Sequence, residues 1–126
     1  MDAQKLVKRI LDVEPSVLLV AVADGRSDTV IAEEFREGAH FYYPKEYIHN
    51  FMMVVPVIVM GSLERLKPGL GVVTSVTIRY EKRVFLFSGC EDMIVVLGFD
   101  VSVHTPFADS MSKLIQTIAK EVTQAS

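Results

Sequence analysis

The sequence has little of what a secreted, membrane-spanning or disulfide-stabilised protein needs. Its one cysteine, Cys90, cannot form a disulfide within the chain, and the opening segment MDAQKLVKR lacks the apolar core of a secretion signal. The most apolar window, residues 51–60, is about half as long as the ~20 residues that a membrane-spanning helix requires. We therefore expect a protein of the reducing cytoplasm with no membrane span.

Positive charge is also scarce. The chain has 13 Lys and Arg residues against 16 Asp and Glu residues, which gives a formal net charge of −3. A dedicated nucleic-acid binder usually carries a basic face that displaces counterions from the phosphates. Lys5, Lys8 and Arg9 are too few to form such a face, so we expect no nucleic-acid partner.

The sequence lacks the residue spacings of catalytic and metal sites. His40, His49 and His104 have no metal-ligand spacing to one another. Cys90 is predicted to lie in a hairpin turn beside two acidic residues, whose charges would raise the pKa of its thiol and so blunt it as a nucleophile. We therefore predict no catalytic residue, no metal, no cofactor and no enzyme activity. An enzyme that uses Cys90 is the alternative, and sluggish thiol labelling at neutral pH would remove it.

Residues 72–99 are rich in β-branched and aromatic side chains. Three runs, residues 72–80, 84–88 and 93–99, are separated by turn-like clusters at residues 81–83 and 89–92. This pattern predicts three consecutive strands joined by hairpins. The second and third runs are apolar on both faces, so we expect them inside the sheet with a layer above and below.

The first of these runs has one wetter face. Apolar and polar residues alternate along it with the period of two that is typical of a strand. The apolar set is Val76, Ile78 and Tyr80, and the polar set is Ser75, Thr77 and Arg79. This alternation favours a strand at the edge of the sheet.

The remaining elements place one helix at each end of the chain. The first helix carries an apolar stripe and is predicted to end before Pro15, and the last is predicted to start at Thr105, which can cap free backbone N–H groups. Residues 17–23 and 29–35 predict a hairpin that turns at residues 24–28. With 126 residues, the chain is expected to form a single domain, 1–126.

A long middle helix, predicted over residues 45–66, has a surplus of apolar surface. Between residues 51 and 60 it is apolar all round and needs cover on both sides, one from the sheet and one from another subunit. Pro56 predicts a kink or break, and an alternative interpretation makes residues 53–60 a strand. The Lys-Pro-Gly sequence at residues 67–69 is expected to stop the helix.

This order of elements resembles the roadblock family of dynein light chains. The likeness lies in a hairpin turn at Asp24-Gly25, a middle helix ending near Leu70-Gly71, and the segments LGVVTSV, TIRYEKRVFLF and DMIVVLGF. The sequence is also similar to small archaeal proteins of that profilin-like plan. The resemblance covers nearly the whole chain and consists of patterns and turn positions. It implies an α+β sandwich, α-β-β-α-β-β-β-α, with a five-stranded antiparallel sheet of order 2-1-5-4-3, the first and last helices on one face and the middle helix on the other.

The resemblance also implies a function. Proteins of this family are homodimers or heterodimers joined through the middle helix and the third strand, and they serve as scaffolds or regulators of small GTPases. We therefore predict a non-enzymatic interaction module that pairs with a second copy or a paralogue and has a small GTPase as its partner. The predicted dimer interface comprises Met53, Val57, Met60 and Gly61 on the helix and Ser75, Thr77 and Arg79 along the edge strand.

The alternative is a small-molecule sensor, because related α/β sandwiches hold ligands between sheet and helix. Tyr42, Tyr43, Tyr47 and His49 would then line a pocket, with His104 at its rim. A closed apolar cavity of roughly 300 Å³ or more would favour sensing. A filled core and a sheet extended between subunits would favour the module, and the aromatic residues of the loop would then pin it to the core.

Overall fold

The computed structural model describes residues 2–24, 29–55, 66–102 and 107–125 of the chain. Within these ranges four helices and five strands follow one another. In chain order they are α1 (Ala3–Val13), β1 (Val17–Asp24), β2 (Thr29–Phe35), α2 (Lys45–Val55), α3 (Lys67–Leu70), β3 (Ser75–Arg79), β4 (Val84–Cys90), β5 (Met93–Phe99) and α4 (Phe107–Ala125). None of the described helices combines the length and the apolarity needed to cross a membrane.

The strands form one sheet of order β2-β1-β5-β4-β3 in which every neighbouring pair is antiparallel. The predicted α+β fold and strand order are therefore confirmed. Strands β4 and β5 lie inside the sheet, as their apolar runs predict, and β3 lies at its edge. This position leaves one side of β3 without a neighbouring strand in the described part of the chain.

Helices α1 and α4 cover one face of the sheet. Asp2 caps α1, because its Oδ1 accepts hydrogen bonds from the backbone N–H of Gln4 at 3.1 Å and of Lys5 at 3.2 Å. The apolar stripes of both helices pack against strand side chains that point to this face. The buried set includes Leu6, Val7, Ile10 and Leu11 of α1, Val20, Val22, Leu86, Val95 and Leu97 of the sheet, and Met111, Ile115, Ile118 and Val122 of α4.

Helix α2 and the loop before it cover the opposite face. Successive residues of a strand point to opposite faces, so the alternate strand positions form a second core there. This core contains Leu19, Ala21, Phe85, Phe87 and Val96 of the sheet, with Phe41 of the loop and Ile48 of α2 buried among them. The sheet therefore carries helices on both faces, and the two cores together exclude water from its three inner strands.

The predicted hairpin turn around Cys90 and the predicted helix stop at residues 67–69 both differ in detail from the structure. Cys90 is the last residue of β4 and is only 1% exposed, because the hairpin turns within Glu91 and Asp92 alone. Glu91 adopts φ 57°, the left-handed conformation that lets so short a turn close. The Lys-Pro-Gly sequence does not simply stop a helix: it begins the single helical turn α3, where Pro68 needs no backbone N–H, and Gly71 ends that turn with φ 82°.

The structure shows the secondary structure of part of the middle segment. Residues 45–55 are helical, so the alternative interpretation of residues 53–60 as a strand is wrong for residues 53–55. Pro56 and the rest of residues 56–65 lie outside the described residues, as do the predicted turn at residues 25–28 and the predicted helix start at Thr105. Strand β3 begins at Ser75 and not at residue 72.

Candidate functional site

The edge strand β3 directs some backbone polar groups outward. The carbonyl oxygen of Thr74 accepts from the N–H of Gly89 at 3.1 Å, and the N–H of Tyr80 donates to the carbonyl oxygen of Arg83 at 2.8 Å. In an antiparallel pair, residues alternate between exchanging hydrogen bonds with the partner strand and facing away from it. The even-numbered residues of β3 therefore bond to β4, and Ser75 and Thr77 direct their N–H and C=O groups away from the sheet.

Exposed apolar side chains lie in the segment that leads into this edge. Leu66 is 59% exposed, Leu70 is 80% exposed and Val72 is 64% exposed. These three residues fall within a span of seven positions shortly before β3: Leu66 precedes the helical turn α3, Leu70 is its last residue and Val72 follows it. Such a concentration of exposed apolar surface is typical of a site that contacts another molecule.

The predicted dimer-interface residues divide between two faces of the sheet. Val76 and Ile78 pack against the core under α2, so the alternate residues Ser75, Thr77 and Arg79 lie on the face that carries α1 and α4. Arg79 donates from Nη1 to the carbonyl oxygen of Val101 at 3.2 Å. On the helix, Met53 lies in α2. The other predicted helix residues, Val57, Met60 and Gly61, lie outside the described residues.

A second feature is a cleft between α2 and the hairpin that joins β3 to β4, with a volume of about 750 Å³. We call it the aromatic cleft. All four tyrosines of the chain line it. Its lining residues are Phe41, Tyr42, Tyr43, Tyr47, Ile48, Phe51, Tyr80, Glu81, Lys82, Arg83 and Phe85.

Ring contacts fix the floor of the aromatic cleft. The ring of Phe51 on α2 lies 5.0 Å from that of Phe85 and 6.1 Å from that of Tyr80. The rings of Tyr80 and Phe85 are 6.1 Å apart at an interplanar angle of 89°, an edge-to-face contact that aromatic pairs favour. Helix, edge strand and inner strand are therefore packed together at this point, and their rings form a continuous aromatic floor.

Arg83 holds the loop that forms one wall of the cleft. Its Nη2 donates to the carbonyl oxygen of His40 and its Nη1 to that of Lys82. Its guanidinium carbon lies 5.5 Å from the ring centre of Phe41 and 5.1 Å from that of Tyr42, which has φ 71°. The side chain thus fixes a strained loop by hydrogen bonds and cation–π contacts.

Lys82 and Glu81 provide the other charges at the cleft. Lys82 Nζ lies 4.7 Å from the ring centre of Tyr42, and both Lys82 and Glu81 are exposed. With Arg83, the cleft therefore carries two cationic groups and one anionic group. The cationic surplus favours an anionic group on whatever occupies the cleft.

Three of the residues predicted for a sensor pocket lie together in this cleft, namely Tyr42, Tyr43 and Tyr47. His49 does not line it: its Nδ1 lies 2.8 Å from Oε2 of Glu33 on β2, and this pair ties α2 to the sheet. His104 lies outside the described residues. The cleft is open, because its tyrosines are 47% to 70% exposed, and so differs from the closed cavity expected for a sensor.

The sequence reasoning missed the part of the cleft that the β3–β4 hairpin contributes. Tyr80 belongs to the alternating series of Val76 and Ile78, and this signal could have placed it on the face of the middle helix. Lys82 and Arg83 follow it directly in the hairpin turn. Their proximity to Tyr42 depends on a loop conformation that no local pattern predicts.

Cys90 is buried and unsuited to nucleophilic chemistry. Burial raises the pKa of its thiol above the ordinary value, and the negative charge of Glu91 raises it further. The sequence predicted the direction of this shift from the neighbouring acidic residues, whereas burial is the larger cause. Among the described residues, no group of three or more His, Cys, Asp and Glu side chains could hold a metal ion.

The sequence matches no protein-family model and no curated protein. The structure is similar to the roadblock/LC7 domain from Streptomyces avermitilis, with a TM-score of 0.67, 8% identity, and coverage of 98% of this chain and 99% of that chain. It is also similar to Myxococcus xanthus MglB, with a TM-score of 0.70, 12% identity, and coverage of 98% and 96%. Schizosaccharomyces pombe profilin has a TM-score of 0.55, 15% identity, and coverage of 96% and 98%.

These likenesses define the class of fold. The chain has the roadblock/LC7 fold, which is profilin-like, as its element order predicted. At identities of 8% to 15%, the similarity shows the fold alone. The predicted likeness to archaeal proteins stays a prediction.

Proposed function

We propose that this protein is a non-enzymatic interaction module that pairs along β3 with a second copy of itself or with a paralogue. The observation that carries the proposal is the outward direction of the Ser75 and Thr77 backbone groups, next to the exposed side chains of Leu70 and Val72. Backbone donors and acceptors at an edge template the addition of another strand. The adjacent apolar side chains add buried apolar surface to the interface, which the backbone hydrogen bonds alone do not provide.

The composition of β3 supports this proposal. Natural edge strands are commonly protected by proline, lysine, a bulge or very short length. The sequence SVTIR has neither proline nor lysine, and it pairs with β4 in an unbroken register over all five residues. Its one charged residue, Arg79, stands at the end. A strand of this kind is suited to pairing, and a stable interface would bury roughly 1,200–2,000 Å² in total.

The middle helix would provide the second half of the interface. We propose that Met53, Val57, Met60 and Gly61 pack against the same residues of the partner, because this part of the sequence is apolar all round. The double substitution Val57→Asp and Met60→Asp should then give monomer or aggregate. A soluble dimer of this variant in light scattering would remove the helix from the interface.

We propose a small GTPase as the protein that the paired module contacts. This part of the proposal is supported by the resemblance to the roadblock family. The composite surface of two copies would serve as a scaffold in the cytoplasm. Affinity capture from the native host, with the bound proteins identified by mass spectrometry, tests it, and the absence of any GTPase from a capture that retains other partners would count against it.

The experiment that tests pairing measures oligomeric state and amide exchange on one sample. Sedimentation equilibrium should report a dimer, and the amides of Ser75 and Thr77 should exchange with solvent as slowly as those of Val76 and Ile78. In a monomer, only the two even-numbered amides bond to β4 and are protected. A dimer whose Ser75 and Thr77 amides exchange freely would show that the interface is elsewhere.

A second function, the binding of a small molecule, is favoured by one observation. The aromatic cleft has a volume of about 750 Å³ and gathers all four tyrosines of the chain. Ligand pockets in proteins commonly span roughly 300–1,000 Å³ and have mostly apolar linings with a few polar groups. The aromatic cleft has both properties.

A further inference from the structure

We infer that the aromatic cleft is a binding site for a small molecule that has a planar aromatic body and one anionic group. This inference rests on the second function proposed above and names the class of its ligand; because the cleft lies within a single chain, it does not depend on the proposed pairing along β3. Three properties of the cleft carry it: a closely packed apolar floor, exposed aromatic rings around that floor, and a surplus of positive charge at one end.

The floor suits an apolar ligand body. Ile48 is 8% exposed and Phe85 is 4% exposed, and the ring of Phe51 contacts the rings of both Phe85 and Tyr80. The contacts of Phe51 with both Phe85 and Phe87 leave its ring little freedom to move. A floor of this kind is already formed before a ligand arrives, which lowers the entropy that binding costs.

The rim favours a flat ligand. Tyr43 is 70% exposed, Tyr47 64%, Tyr80 51% and Tyr42 47%. The rings of Tyr43 and Tyr47 contact each other at 6.3 Å with an interplanar angle of 66°, so they form a paired wall. Tyrosine rings leave an apolar face for stacking and a hydroxyl for hydrogen bonding. A planar aromatic body would cover ring surface that is otherwise in water.

The charges at the hairpin favour an anionic group. Arg83 already donates to two carbonyl oxygens, those of His40 and Lys82, so its role is to hold the wall and to supply a fixed positive charge. Lys82 is exposed, and its Nζ lies over the ring of Tyr42 at 4.7 Å, from where it can turn toward a ligand. The negative charge of Glu81 repels an anionic ligand and therefore lowers the affinity of the cleft for it.

The test compares two fluorescent probes that differ in charge. The anionic dye anilinonaphthalene sulfonate has a planar naphthalene ring that carries one sulfonate, and N-phenylnaphthylamine is its uncharged counterpart. Titration of the native protein with each dye should show that the anionic dye binds more tightly. Equal affinities, or tighter binding of the neutral dye, would overturn the assignment of an anion site.

Two charge variants locate the anion. Lys82→Gln should weaken binding of the anionic dye by about two- to fivefold, the range of an exposed ion pair, and leave the neutral dye unchanged. Glu81→Gln should strengthen binding of the anionic dye by a similar factor. If neither substitution changes the affinity for the anionic dye, its sulfonate binds elsewhere and the proposal fails.

A matched pair of variants locates the aromatic body. Tyr43→Ala removes a ring that is 70% exposed and should weaken both dyes, whereas Ile31→Ala removes an exposed apolar side chain of β2, outside the cleft, and should weaken neither. Circular dichroism should show that both variants are folded. An equal effect of the two substitutions would show that the dyes bind exposed apolar surface in general, and it would overturn the site.

One further variant separates ligand binding in the cleft from the proposed pairing along β3. The variant Thr77→Pro, designed to block pairing along β3, should bind the anionic dye with the affinity of the native protein. Loss of dye binding in this variant would mean that the site needs two chains. If Thr77→Pro binds the dye and the native protein does not, a second copy of the chain occupies the cleft in the native protein. Either result would overturn the assignment of a ligand site to the single chain.

Discussion

The guanidinium of Arg36 donates from Nη2 to the carbonyl oxygen of Leu11 at 2.7 Å, and so ties the end of β2 to the last turn of α1. The same side chain donates to the carbonyl oxygens of Glu14 at 3.1 Å and of Val17 at 2.6 Å. The last carbonyl groups of a helix have no partner within it, and here one charged side chain satisfies that of Leu11 in the last turn and that of the C-cap residue Glu14. Arg36 therefore fixes the position of α1 relative to the β1–β2 hairpin.

Replacing Arg36 with methionine should lower the free energy of unfolding by about 2–3 kcal/mol, because charge-assisted hydrogen bonds are lost and partly buried carbonyls are left without donors. Arg36→Lys should recover only part of this loss, since an ammonium cannot reproduce the forked geometry. Urea denaturation provides the measurement. As a control, Arg9→Gln breaks an exposed 3.8 Å ion pair with Glu121 and should cost less than about 1 kcal/mol. Equal losses for Arg36→Met and Arg9→Gln would contradict the role assigned to Arg36.

The absence of a side chain at Gly98 makes room for the ring of Phe41, which lies against β5. A Cβ atom added at Gly98 would lie 3.0 Å from Cζ of Phe41 and 3.2 Å from Cβ of Leu19, which is closer than ordinary van der Waals contact. Gly98→Ala should therefore displace Phe41 and destabilise the protein by about 1–3 kcal/mol, as overpacking of a core does. The displacement should also weaken dye binding, because Phe41 is part of the cleft wall.

Gly89→Ala is the matched control for this substitution. Among the described residues, its added Cβ would meet only the carbonyl oxygen of Val73, at 3.9 Å, which is an ordinary contact. Both glycines lie in inner strands, so their effects on strand propensity should be alike. Thermal unfolding of the two variants should therefore separate the clash from the general effect of replacing glycine. A Gly98→Ala variant as stable as Gly89→Ala would show that Phe41 can move aside at no cost.

The thiol of Cys90 should react slowly with iodoacetamide in the folded protein at neutral pH. The side chain is 1% exposed, and its raised pKa keeps it protonated. The same sample in denaturant should label at the rate of a free cysteine, and mass spectrometry can count the adducts in both states. Rapid labelling of the folded protein would support the alternative of a reactive thiol.

The same shift of the pKa predicts how stability depends on pH. The folded state holds the thiol proton more tightly than the unfolded state, so this contribution is fully present below the pKa of the thiol in the unfolded chain. It is lost as the pH rises through the raised pKa of the folded state. The stability of the native protein should therefore fall more steeply at alkaline pH than that of Cys90→Ser. An identical dependence of stability on pH in the native protein and in Cys90→Ser would contradict the raised pKa of the Cys90 thiol.

Local patterns predicted the elements of this fold better than the contacts between them. The period of two in residues 75–80 was sufficient to place β3 at an edge and to separate its two faces. The three acceptors of Arg36 lie 19 to 25 residues earlier in the chain, so no local pattern could connect them. The composition of Gly-Cys-Glu-Asp predicts that Cys90 lies in the turn, and only the backbone of Glu91 shows that two residues suffice.

The same limit explains why the sequence predicted only part of the aromatic cleft. Tyr42, Tyr43 and Tyr47 are close in sequence and could be grouped without a structure. Tyr80 joins them because the strand order places β3 beside β4 under α2, and that order came from the resemblance and not from spacing. The charge of the cleft depends on the β3–β4 turn, whose residues the sequence pattern predicts only as a connection between two strands.

Thr77 offers the sharpest test of pairing along β3. Its N–H points away from the sheet, so Thr77→Pro removes no hydrogen bond to β4, and proline is tolerated at such a position of an edge strand. The substitution removes an outward donor and places a ring where a partner strand would lie. In a symmetric pair this loss occurs twice. Self-association should therefore weaken by about 10- to 100-fold, with each tenfold step equal to about 1.4 kcal/mol.

Two further variants show whether the effect arises at the outer side of β3. Thr77→Val keeps both the N–H group and a β-branched side chain, so it should remain as dimeric as the native protein in light scattering over a series of concentrations. Ile78→Pro removes an N–H that bonds to β4 and should destabilise the fold itself, because β4 loses part of its ladder. Thr77→Pro should instead keep the native circular dichroism spectrum while it becomes monomeric. A folded Thr77→Pro variant that associates as strongly as Thr77→Val would exclude β3 from the interface, since no strand can add to an edge that the proline ring obstructs.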